Sequence, residues 1–83
     1  MSLAFTSTPV SVGQARAEAI GYLALAYTGK RLSLQVRHSA AGHSIGTADA
    51  DGPVSRESDS YFRSQQAADR ALKTGRWQQR LDP

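Results

Sequence analysis

The chain has no cysteine, one tryptophan, one methionine and only two lysines among its ten cations. Without cysteine, neither disulfides nor thiolate metal sites are open to it. Aromatic residues make up only 7% of its 83 residues, so material for a large apolar pocket is scarce as well. A chain of this size buries about 60–65% of its unfolded surface, and hollowing out the core would leave too little to hold the fold. One domain is all it supports. Long hydrophobic runs are also missing. The longest, Ala19 to Tyr27, holds nine residues, against roughly 20 for a membrane-spanning helix. No early cation opens a secretory signal, because the first is Arg16 and Glu18 then interrupts the apolar stretch. No membrane partner is expected, and the expected location is the cytoplasm.

What the chain does have is arginine. Eight of the ten cations are Arg, against seven Asp plus Glu, for a net charge of +3. The planar guanidinium fork suits carboxylates, phosphates and base edges, so an Arg-rich surface leans toward contact rather than simple solvation. A hydrophobic content of 40% and a charged content of 20% are those of a folded domain, unlike a disordered tail.

Residues 1–10 carry Ser, Thr and Pro9 without a sustained period and predict a loose N-terminal arm, leaving 11–83 as the single domain. Ser11, with Gln14 three residues on, resembles a capping box. Val12, Ala15, Ala19, Leu23 and Ala26 then recur at helical spacing, predicting one helix that contains Gly21 and stops at Gly29. From Arg31 the period becomes two. Leu32, Leu34 and Val36 alternate with Ser33, Gln35 and Arg37, the pattern of a half-buried strand. The turn Ser39–Gly42 returns the chain through His43–Ala48, and Val54–Phe62 follows as an edge strand or partly irregular segment. Ser64 then caps a helix carrying Ala67, Ala68, Ala71 and Leu72, which ends at Gly75, and Trp77 is expected to cover the core beside Phe62 and Leu72. The fold class is α+β: helix, three-stranded antiparallel sheet, helix, as a two-layer sandwich with both helices on one face.

Catalytic chemistry finds little support. No strained nucleophile turn accompanies any Ser-His pairing, and no glycine loop opens a helix after a strand to cradle phosphate. His38 and His43 face each other across the hairpin, yet two ligands make a poor metal shell. Asp49-Ala50-Asp51-Gly52 has the look of a calcium loop but places Thr47 and Ser58 where carboxylates are required, so it reads as an acidic turn. No enzyme activity, cofactor or metal is expected.

The outward sheet face draws the functional expectation. If Leu34 and Val36 point to the helices, Gln35 and Arg37 point away, with Ser44 and Arg56 joining from neighbouring strands. Arg63, Arg70, Lys73, Arg76 and Arg80 add a second basic cluster around the last helix and tail. Such a face offers phosphate contacts and polar base readout, although it lacks the interleaved aromatics of a single-strand-binding sheet. For a protein partner, Tyr22, Tyr61 and the same arginines would serve as anchors.

The element order resembles double-stranded-RNA-binding domains over residues 12–75. Ser64-Gln65-Gln66 stands where that family has paired lysines, and Ser39–Gly42 where it has a basic loop. The stretch Leu32–Leu72, with Phe62-Arg63-Ser64-Gln65-Gln66-Ala67-Ala68 at its strand-to-helix junction, resembles integrase-type DNA-binding domains. Three further stretches resemble small uncharacterised proteins of proteobacterial plasmids, phages and integrative elements: Gly42–Thr47, Gly52–Ser58 through Tyr61-Phe62, and Gly75–Arg80. That last likeness brings anti-CRISPR and other anti-defence inhibitors into view.

The expectation is a non-enzymatic binding protein contacting nucleic acid or a nucleoprotein complex. Arg37 and Arg56 approach phosphates and Gln35 reads polar edges. The alternative is a protein-protein inhibitor of a host defence system. Homodimerisation through Val54–Phe62 is compatible with both.

Overall fold

The computed structural model describes residues 11–83. In chain order they form α1 (Val12–Ala17), α2 (Tyr22–Thr28), β1 (Gln35–Ser39), β2 (Gly42–Asp49), β3 (Gly52–Arg56) and α3 (Gln65–Thr74). The arm expected at 1–10 lies outside the described residues. The α+β expectation holds, with one antiparallel sheet in the order β1-β2-β3. No helix among the described residues is long and apolar enough to cross a membrane.

Two tight hairpins set the register. Ser39 stands opposite Gly42 and Asp49 opposite Gly52, leaving Ala40–Ala41 and Ala50–Asp51 as two-residue turns. Val36 pairs with Ile45, and the period of two carries Leu34 and Thr47 to the same face. On that face Ile45, Ala71 and Trp77 form a buried cluster, with Leu34, Phe62 and Leu72 packed against it. Trp77 thus sits with the residues expected for it. The last helix also follows its sequence signals: Ser64 Oγ accepts from the Ala67 N–H at 3.1 Å, and Gly75 closes it in the left-handed region at φ 73°.

The first helix departs from expectation. The stripe from Val12 to Ala26 predicts one helix, but the chain leaves helical geometry after Ala17, passes Ala19 at φ 56° and starts again at Tyr22. Ala19 and Ala26 become exposed, while Ala24 is buried with Leu23. Two long-range interactions explain the break. The link pairs like a strand with the approach to β1, through Leu34 N–H to Ala19 C=O and Gly21 N–H to Leu32 C=O, both at 2.9 Å. The new N-terminus of α2 is then capped from a distance. Glu57, wholly buried, accepts from the Leu23 N–H at 2.8 Å and the Ala24 N–H at 3.0 Å, satisfying donors that a helix start leaves open. Gly21 permits this approach, since a Cβ there would stand 2.5 Å from Thr47 Cγ2 and 2.7 Å from Glu57 Oε2.

The third extended segment is shorter than expected. Regular pairing ends at Arg56, after a bulge opposite Thr47 and Ala48 that accommodates Pro53. The N–H groups of Glu57 and Ser58 both donate to Ile45 C=O. The chain then loops out and returns at Phe62, which exchanges two hydrogen bonds with His43. On the outer side of this segment, Asp59 N–H donates to Gln78 C=O and Arg80 N–H to Glu57 C=O, both at 2.8 Å. The tail therefore occupies part of the Val54–Phe62 edge considered for homodimerisation, leaving only Val54–Arg56 of that span as regular strand.

Candidate functional site

Opposite the helices, β2 presents Gly42, Ser44, Gly46 and Ala48, all small. Gln35 and Arg37 flank them on one side, and Arg56 flanks them on the other. Gly46 has no room for more, because a Cβ would stand 2.3 Å from Ser55 O. Long side chains from both flanks lie over this low centre, so Ser44 is only 6% exposed while Arg37 and Arg56 are half-buried. Between them is an open depression of about 270 Å³ lined by Arg37, Ser44, Val54, Arg56 and Tyr61.

The polar contacts here hold the arginines without neutralising them. Arg37 Nη1 donates to Gln35 Oε1 at 3.1 Å. Arg56 Nη1 donates to the carbonyls of Ser58 and Asp59, each at 3.0 Å, and its guanidinium carbon lies 4.5 Å from the Tyr61 ring centroid. Among the described residues the ion pairs are Lys30–Asp49, Arg31–Glu18 and Lys73–Asp69. Among the described residues neither Arg37 nor Arg56 has a carboxylate partner, and no acidic residue lines the depression. Two fixed positive charges against low-dielectric walls make a site suited to an anion.

The other expected residues do not join this face as one cluster. Arg80 shares a separate groove of about 230 Å³ with Tyr27, Val54 and Arg56, so Arg56 links two concavities. Arg70 and Arg76 line a different surface beside α3, Lys73 is engaged by Asp69 at 2.9 Å, and Arg63 is exposed after Phe62. Tyr61 is the residue that the nucleic-acid reading of the sequence missed. It stands next to Phe62, which faces the core, so alternation gave the only hint that Tyr61 turns outward.

His38 and His43 do meet, with stacked rings 4.4 Å apart. The acids nearest in sequence lie elsewhere: Asp49 precedes the far turn, Asp51 lies in it, and Glu57 is committed beneath α2. No group of three His, Cys, Asp or Glu converges among the described residues. A further cation missed from sequence is structural. Arg16 stacks 3.6 Å from the Trp77 ring centroid and donates to Gly75 C=O at 3.2 Å and Trp77 C=O at 2.6 Å, and its burial lowers the guanidinium pKa from its ordinary value. No family model, curated protein or solved structure matches the chain.

Proposed function

We propose that the chain is a non-enzymatic binding protein whose outer sheet face engages the phosphates of nucleic acid, alone or within a nucleoprotein complex. The observation that supports this reading is the pair Arg37 and Arg56, which among the described residues have no carboxylate partner and line one depression free of acids. Gln35 orients Arg37, and the Ser58 and Asp59 carbonyls orient Arg56. Each guanidinium keeps further donors for an oxygen-rich ligand.

Fluorescence anisotropy with labelled DNA and RNA tests the reading. Binding is expected to weaken as salt rises from ~50 to ~200 mM, and the double variant Arg37→Ala, Arg56→Ala is expected to reduce the slope of log affinity against log salt by about 1.5–2. Equal binding by wild type and double variant would overturn it. The stoichiometric inhibitor is the second reading, favoured by the stacked Arg56–Tyr61 pair at the rim, a common form of protein-interface anchor. It calls for an acidic protein surface in place of phosphates.

A further inference from the structure

We infer that the outer face takes single-stranded rather than duplex nucleic acid, with a base against Tyr61 and flanking phosphates at Arg37 and Arg56. This deepens the preceding reading and rests on it. Tyr61 is 44% exposed although the Arg56 guanidinium lies over one face of its ring, which leaves the side chain accessible to a base. A ring beside two uncompensated guanidiniums combines the two elements of single-strand recognition, a stacking surface and a cationic path for the backbone. Arg56 adds a second planar group of the kind on which unstacked bases lie.

Shape argues against a duplex. Reading base edges in a duplex major groove takes a helix or ribbon that projects into it. Here the cations surround a depression, and the helices pack against the opposite face of the sheet. Neither hairpin tip projects positive charge: one is Ala40–Ala41 and the other is Ala50–Asp51. A duplex laid on this face would reach phosphates but leave Tyr61 without a base, whereas a single strand can turn a base into the depression and keep its backbone at the rim.

The test compares the full chain binding labelled twelve-nucleotide dT and rU strands, a 20-base-pair DNA duplex, an RNA duplex of equal length, and polyglutamate, with circular dichroism confirming that each variant is folded. Expected results are at least tenfold tighter binding of a single strand than of either duplex, a loss of roughly tenfold or more with Tyr61→Ala, and retention with Tyr61→Phe and Tyr61→Trp. If a duplex binds as tightly and Tyr61→Ala changes nothing while Arg37→Ala still weakens binding, the single-strand inference falls and the phosphate reading stands. If polyglutamate binds and no nucleic acid does, both fall in favour of an acidic protein partner.

Discussion

Glu57 shows how much one side chain organises. Its carboxylate accepts from two helix N–H groups, from Ser55 Oγ and from Gln79 Nε2 at 2.7 Å, tying α2, the third strand and the tail to one buried point. Replacing Glu57 with Ala strands two buried N–H donors and is expected to cost about 2–5 kcal/mol in urea unfolding. Glu57→Gln keeps an acceptor but forces its amide hydrogens against donors, so an intermediate loss is expected. Asp49 differs because it is a surface acid. The hydrogen bond from Lys30, supported by the Asp51 N–H, holds its carboxyl below its ordinary pKa. A depressed folded value means that this contribution is complete above the unfolded-chain value of about 3.9 and fades as pH falls through the folded one. In an NMR titration of the Asp49 carboxyl, Lys30→Ala should move the midpoint upward; an unmoved midpoint would rule out Lys30 as the cause.

At the scale of elements, the break between α1 and α2 separates what was legible from what was not. The bounds of α3 were written locally, in Ser64 and Gly75, and so was the first hairpin. The apolar positions from Val12 to Ala26 fit an unbroken helix, and the capping carboxylate that begins α2 comes from 33–34 residues away. No local pattern records such a partner. The candidate site divides in the same way. Period two placed Gln35 and Arg37 outward, whereas Tyr61 reaches the depression through an irregular loop between Ser58 and Phe62 that propensity does not describe. The break itself makes a prediction. Ala19 at φ 56° carries a strain of about 1–2 kcal/mol that glycine relieves, partly offset by glycine's greater unfolded-state freedom. Ala19→Gly is therefore expected to leave stability unchanged or raise it by up to about 1 kcal/mol. Gly21→Ala drives a Cβ into Thr47 and Glu57 and should destabilise by about 1–3 kcal/mol. Equal losses from both substitutions in thermal melts would contradict this account of the link.

For the molecule as a whole, the tail is part of the sheet's boundary. Removing residues 78–83 exposes the Glu57–Asp59 edge and takes Gln79 from the buried carboxylate. Light scattering should then show stronger concentration-dependent association than the full chain gives, accompanied by lower thermal stability. The clamp of Arg16 on Gly75 and Trp77 has a consequence in time. Its hydrogen bonds join residues 59 and 61 positions apart, so they form only when nearly the whole described chain has been drawn into a ring. Closing so long a loop is entropically expensive, whereas the hairpins need close only two-residue turns. The ring should therefore close after the folding barrier has been crossed, so that Arg16→Ala speeds unfolding and leaves the folding rate nearly untouched.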